Sequence, residues 1–561
     1  MNHKSTELDP IRLEIIANGL RSIADECFVA LMRSSYSTNI KERKDHSVAI
    51  VDKAGRLVVQ AELTLPIHIA SMGGLMKCVL EKFGDDIHEG DIFVANDPHT
   101  AGGTHLPDIN YAMPIFIDGE IVAFICNIAH HADIGGMVPG SMAGGMSEIY
   151  QEGLRIPVVR LFNKGKLQQD IMDILLLNVR VPEERAGDHN AQIASCRLGE
   201  RRFKEVVSVQ SLPSVLTAFD EIIARTNKRM RDTISQIPDG VYEFKDYLDS
   251  DGLETFDIPI CLKLNVNGEK IHLDFAGTSP QVKGNVNTTL NAVQASVNYA
   301  LIGALDSDMP SNQGALDAVD ISCNAGTILN CVFPAPVAAR AHVCQRVIDI
   351  TLGALSKAIP DKVIAAANGA NTTAVFSGVD PRTNKPYLYF ETIGGGMGAR
   401  ATKDGKDGVQ VGITNTSNLP VESIEQEYPL RVEEYGFVED SGGAGKFRGG
   451  MGLHRVLTPV DHECVFNGAG ERFRYQPWGL FGGKSGGAGK FMFEDSEGKR
   501  RLDDKPNEVE VKPGTKITVE TPGAGGYGKP SDRAAEAIAK DEQSGKFSKD
   551  YITKNYGTGG Q

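Results

Sequence analysis

Two short segments hold the residues best able to do chemistry, NDPHTAGGTHLPDI (96–109) and NIAHHADIGG (127–136). In the first, His105 and Asp108 stand three apart with Pro107 between them, a spacing that in a turn or short helical loop aims both side chains at one point. In the second, His130 and His131 end an apolar run that reads as a strand, so they point to opposite faces and only one can join that point. Asp45, just before the strand-like SVAIV (47–51), adds a carboxylate from another strand end. Two imidazoles and two carboxylates suit one divalent ion, Mn, Fe or Zn, with room for a water. Such an ion brings the pKa of its water from 15.7 to about 7, giving hydroxide at neutral pH. The same residues also serve as ordinary hydrogen-bonded groups in glycine-rich loops, so residue types alone leave the metal open. Arg155, Arg160 and Arg180 are available to an anion, although ion pairing is the commoner use of each.

Other chemistries fail on spacing. LFGGKSGGAGK (480–490) invites a phosphate-binding reading, but a P-loop needs a glycine five residues before Gly483, and Trp478 stands there. GGGMGAR (394–400) lacks the dinucleotide-binding spacing, so both stretches read as turns. There is no GxSxG, and the nine cysteines are scattered singly with no CxxC pair, which reads as reduced, buried thiols. Metal-activated water is the remaining candidate.

The elements that must position these residues follow from periodicity. Asp9 and Pro10 open a helix in which Ile11, Ile15, Ile16, Leu20, Ile23, Cys27 and Leu31 recur at helical spacing. SVAIV and LVVQA (57–61) form a hairpin, DIFVA (91–95) a strand, and YAMPIFI and EIVAFICNIA flank the tight-turn dipeptide Asp118-Gly119. Residues 166–235 turn helical and 241–275 alternate as strands. A second helical region runs through QASVNYALIGAL and VIDITLGALSKAI, and short strands with many glycines follow Gly394. The expected fold is α+β with several subdomains: a metal-binding α/β region (1–240), a mixed region (241–393), a glycine-rich β region (394–527) and a peripheral tail (528–561).

At 561 residues the chain is long enough for several cores, and 41% hydrophobic with 23% charged residues is ordinary globular composition. A net charge of −15 repels a phosphate backbone, which argues against nucleic acid. No stretch offers the roughly 20 apolar residues of a membrane span, and the polar N-terminus has no leader pattern, so a cytoplasmic location without a membrane partner is expected.

On NIKERKDHS (39–47), PIHIASMGG (66–74), NDPHTAGGTHLPDI, HHADIGGMVPGSM (130–142), EEYGFVEDSGGAGKFRGG (433–450) and TPGAGGYGKP (521–530), the chain resembles the hydantoinase B family from about residue 10 onward. This family includes B subunits or regions of ATP-dependent hydantoinase, 5-oxoprolinase and lactamase, and is related to acetone and acetophenone carboxylase subunits. The resemblance implies a metal held by Asp45, His105, Asp108 and His130, which selects His130 over His131. His131 or Asp133 is then the expected proton relay. It also implies a hydantoinase A-type partner, in a heterodimer or A2B2 heterotetramer, that uses ATP with Mg to phosphorylate the amide oxygen. This chain then opens the cyclic amide, a hydantoin, 5-oxoproline or lactam, through metal-bound hydroxide. The alternatives are a ketone carboxylase subunit and a non-catalytic scaffold. His99 departs from the family's more usual aromatic and bears on substrate choice.

Overall fold

Pro10 opens a long helix, α1 (Pro10–Ser34), in the computed structural model, which describes residues 8–557. The proline's missing N–H would be unpaired at that position anyway. The buried stripe is Leu13, Ile16, Leu20, Ile23, Ala24, Cys27, Phe28 and Leu31. Ile11 and Ile15, expected on that stripe, are 71% and 54% exposed beside it. Asp9 occupies the N-cap position without a side-chain capping bond.

After a single helical turn, α2 (Thr38–Lys41), the chain enters a seven-stranded sheet of order β2-β1-β5-β4-β3-β6-β7. Its strands are β1 (His46–Asp52), β2 (Leu57–Gln60), β3 (Ile92–Ala95), β4 (Asp108–Ile117), β5 (Glu120–His130), β6 (Val159–Asn163) and β7 (Lys166–Leu167). Every pairing is antiparallel, as the hairpin signals imply. The β4–β5 turn takes positive φ at Asp118 and Gly119 (51° and 83°), the backbone that a two-residue hairpin with right-handed twist requires.

Alternation along the strands feeds two cores. Val48, Ile50, Ile109, Tyr111 and Ile125 face α1 and α5 (Pro182–Gln210). Ala49, Val51, Ala112, Phe124 and Ile128 face α3 (Pro66–Phe83). With helices on both faces, the central strands are buried nearly throughout. The helical stretch 166–235 resolves into α4 (Gln169–Leu177), α5 and α6 (Leu212–Ile234).

A second sheet joins Gly240–Ser250, Phe256–Asn267, Lys270–Asp274 and Val319–Ser322, the last in parallel, and packs against helices Leu290–Leu305 and Ala341–Leu355. The hairpin Thr372–Asp380/Lys385–Ile393 shares a third sheet with Cys464–Ala469 and Val509–Val511, so strands from before and after Gly394 form one layer. Five short strands between Leu430 and Glu520 make a fourth sheet, and the helices Ala535–Gln543 and Lys549–Tyr556 lie at its margin.

The glycine-rich segments between these strands lie backbone to backbone. A Cβ on Gly449 would stand 1.8 Å from the Ala524 carbonyl oxygen, and one on Gly523 would stand 1.8 Å from that of Ser441. Only glycine permits this approach. The segments also hydrogen-bond to one another, Gly450 N to Met397 O and Lys484 N to Ala444 O, which fits connectors and not a phosphate cradle. All nine cysteines are free thiols, and no single described helix is long and apolar enough to cross a membrane.

Candidate metal centre

The register of the β4–β5 hairpin sets Asp108 directly opposite His130 at the end of the first sheet. Beside them the His130 N–H donates to the Asp45 carbonyl (3.0 Å) and the His131 N–H to the Pro107 carbonyl (2.8 Å), tying both preceding loops to this end. His105, at the foot of β4, brings Nε2 to 3.1 Å from Asp108 Oδ1. One ligand-capable atom from each of His105, Asp108 and His130 lies within 4.8 Å of the others, and all three residues are buried.

Each of the first two residues is fixed by one atom and open at another. His105 Nδ1 donates to the Ala338 carbonyl (3.1 Å), which leaves the Nε2 lone pair free, and Nε2 has no hydrogen-bond partner. Asp108 Oδ2 accepts from Arg340 Nη2 (2.5 Å) and Thr104 Oγ1 (3.3 Å), while Oδ1 has none. Two unpartnered ligand atoms facing each other in a buried pocket are what an ion would complete. At His130, Asn39 Nδ2 donates to Nδ1 (2.9 Å) and to the backbone carbonyl (2.7 Å), so the neutral ring carries its proton on Nε2. Ligation through that nitrogen requires the Asn39 amide to turn over and present Oδ1.

Protonation states suit the same purpose. Burial opposes the Asp108 charge, but His105, Arg340 and His68 outweigh it and hold its pKa well below the ordinary carboxylate value. Burial lowers His105 to about 4 and takes His130 well below its ordinary value, so both rings are neutral. Burial also raises Asp45 against the opposing pull of Arg43 and His68.

Asp45 is near the cluster without being part of it. The link is His68, from the first turn of α3, whose Nε2 lies 3.8 Å from Asp45 Oδ1 and 3.6 Å from Asp108 Oδ1. Its Nδ1 meets Ser47 Oγ (2.8 Å), which accepts in turn from the Leu65 N–H (3.0 Å). Reading residue types missed His68. It lies inside PIHIASMGG, but a lone histidine among apolar helix residues names no partner. Arg340, from the other half of the chain, gave no signal either.

His131 and Asp133, the expected proton relays, do not line the cavity. His131 points toward α5, with Nε2 2.9 Å from Gln192 Oε1 and its ring 4.6 Å from that of His189. Asp133 spends both oxygens on Gly135 N, Gly140 N and Arg180, which pins the 133–140 loop. Arg155, Arg160 and Arg180 are paired with Asp97, Asp86 and Asp91, and Asp133.

The cavity at the cluster is lined by Asp45, Leu65, His68, His105, Asp108, His130 and Met142 on one side. Arg340, Asn371, Phe390, Thr392 and Thr414 from later parts of the chain close the other. Its volume is about 20 Å³, room for one ion or water, so a ring-sized molecule enters only if these walls part.

A buried imidazole and carboxylate cluster at a sheet end, roofed by a second half of the chain, is the class of site the fold builds. Residues 9–530 match the family model Hydantoinase B/oxoprolinase, and the chain belongs to that family. It is 30% identical to caprolactamase subunit beta of Pseudomonas jessenii, over 98% of this chain and 96% of that one. The crystal structure of ATP-dependent caprolactamase from the same organism superposes with a TM-score of 0.93 at 29% identity, covering 99% and 98% of the two chains. An acetone carboxylase structure is similar in fold, with a TM-score of 0.91 at 20% identity over 99% of this chain and 80% of that one.

Proposed function

We propose that this chain is the metal-carrying B subunit of an ATP-dependent cyclic-amide hydrolase, active together with an A-type subunit that binds ATP. The observation that carries the reading is the facing pair of unpartnered ligand atoms, His105 Nε2 and Asp108 Oδ1, in a buried pocket of a chain so similar to caprolactamase subunit beta. His105, Asp108 and His130 would hold a Zn, Mn or Fe ion, with Asp45 approaching beside His68. A bound divalent ion supplies Lewis-acid polarisation and an acidified water.

The residues divide the remaining work. Arg340 and Thr104 hold Asp108 by one oxygen and aim the other. The Ala338 carbonyl sets the His105 tautomer. Phe390, stacked 5.1 Å from the His130 ring, and Met142 supply apolar walls that help shield the cluster from bulk water. An amide carbon is a poor electrophile, and phosphorylation of its oxygen by the partner raises its reactivity. Expelling that phosphate after water adds would restore the amide, so opening the ring requires the nitrogen to leave with a proton, and a second water then hydrolyses the resulting acyl phosphate to carboxylate and phosphate. His131 and Asp133 are assigned to holding the wall, since their side chains are engaged elsewhere.

The purified A plus B complex, offered ATP with Mg and a panel of lactams, hydantoins and 5-oxoproline, is expected to form ADP and open one class of ring. ADP formation coupled to fixation of bicarbonate onto a ketone would instead establish the carboxylase reading that the shared fold permits. The chain alone is expected neither to bind ATP nor to open rings, and tight ATP binding by it would refute the division of labour.

A further inference from the structure

The wall facing the cluster holds a side chain for which the fold has no use. Asn371, just ahead of the strand Thr372–Asp380, is 7% exposed and lines the same cavity as His105, Asp108 and His130. Its backbone is committed: the N–H donates to His342 Nδ1 (3.3 Å) and the carbonyl accepts from Thr373 Oγ1 (2.9 Å). Its side-chain Oδ1 is buried with no hydrogen-bond partner. The other polar groups on this wall are engaged. Thr392 Oγ1 accepts from Arg43, Thr414 Oγ1 donates to Gln410 Oε1 (3.3 Å), and Arg340 is bound to Asp108 and Thr104. A buried carboxamide oxygen without a partner is destabilising, and its persistence beside a reactive cluster points to a ligand that completes it.

Resting on the cyclic-amide reading, we propose that Asn371 is the specificity-determining residue that recognises the amide edge of the ring. A small ring forces its amide to be cis, with N–H and C=O on one edge, whereas an open-chain secondary amide is trans and divides them between opposite edges. A carboxamide presents an acceptor and a donor side by side, so it pairs with a cis amide through two parallel hydrogen bonds and with a trans amide through only one. Once the ring oxygen is phosphorylated, the ring nitrogen carries a lone pair in place of its proton, and the Asn371 carboxamide turns over so that Nδ2 donates to it. A serine makes only one of the two bonds to the cis amide, and an aspartate has no donor for the unprotonated nitrogen. The position beside the ring nitrogen also suits the bond that must break.

The test uses the A plus B complex with Asn371→Leu and Asn371→Asp. Asn371→Leu is expected to keep full metal content and melt at or above the wild-type temperature, because it removes an unpaired polar group. Its kcat/KM for the best cyclic amide should fall on the order of 100-fold, as for other sites built to hydrogen-bond a substrate group. Asn371→Asp, which keeps the acceptor and loses the donor, should be at least as impaired. As inhibitors, 2-pyrrolidinone should outcompete N-methylacetamide with wild type, and Asn371→Leu should abolish that preference. Undiminished kcat/KM in Asn371→Leu, or a lower melting temperature with metal loss, overturns the assignment while leaving the cyclic-amide reading intact. A wild-type complex that opens no cyclic amide refutes that reading first.

Discussion

Arg340 reaches from the second half of the chain to Asp108, its Nη2 2.5 Å from Oδ2 and its Nε 2.9 Å from Thr104 Oγ1. Both side chains are buried, so the pair cannot be halved cheaply. Replacing Arg340 with Met leaves the Asp108 carboxylate without its cation, a change that costs about 3–5 kcal/mol in comparable buried pairs. Urea unfolding of Arg340→Met should show a loss of that order together with weaker metal retention. A variant as stable as wild type would mean the contact does not hold Asp108.

Ligand identity can be read by metal analysis. His105→Ala and His130→Ala should purify with metal well below one equivalent and lose ring opening in the complex. His131→Ala should keep its metal, since its side chain is turned toward Gln192. The opposite pattern would move the centre to the other face of the sheet.

Asn39 offers a gain-of-affinity test. Its amide nitrogen now donates to His130 Nδ1, which puts the ring proton on the nitrogen facing the cluster. Asn39→Asp presents only acceptors, fixes the proton on Nδ1 and frees Nε2, while Arg43, already bonded to Asn39 Oδ1, balances the new charge. Groups that orient metal-bound histidines typically change affinity 10–100-fold. Competition with a chelator should show tighter binding in Asn39→Asp, and equal or weaker binding would refute this account of the His130 tautomer.

Much of the first sheet was legible because its signals are local. Asp118-Gly119 names its own turn, the β-branched runs SVAIV and LVVQA name β1 and β2, and the β4–β5 register follows once the turn is placed. That register then sets Asp108 against His130, so this part of the site could be read from spacing. His68 and Arg340 could not, because their partners lie in other elements: Arg340 is more than 200 residues along the chain from Asp108. Ile11 and Ile15 misled for a related reason. The helix has more apolar positions than one buried stripe uses, and only tertiary packing shows which are covered. The sequence boundary near Gly394 falls after a hairpin that pairs with later strands, because cross-strand pairing over such a distance leaves no mark in local composition.

Glu152 provides the last test, one step back from the metal. Its Oε1 accepts from the Val337 and Ala338 N–H groups (2.7 and 2.6 Å), and the Ala338 carbonyl is the group that fixes His105 Nδ1. Burial, opposed by these two bonds and by Arg340, raises its pKa to about 8, so the folded protein holds it as the neutral acid. The sign follows from linkage: a carboxyl whose folded pKa is raised contributes stability that is complete below its unfolded value, about 4.5, and declines as pH rises through about 8. Glu152→Gln keeps an acceptor for both N–H groups and stays neutral at every pH. The difference between wild-type and Glu152→Gln urea midpoints should therefore widen in favour of the variant from pH 5 to pH 8 and level off above it. Glu152→Ala leaves two donors unpaired and should fall roughly 1–3 kcal/mol below Glu152→Gln at every pH. A midpoint difference that stays flat across this range would mean that Glu152 is ionised in the folded protein.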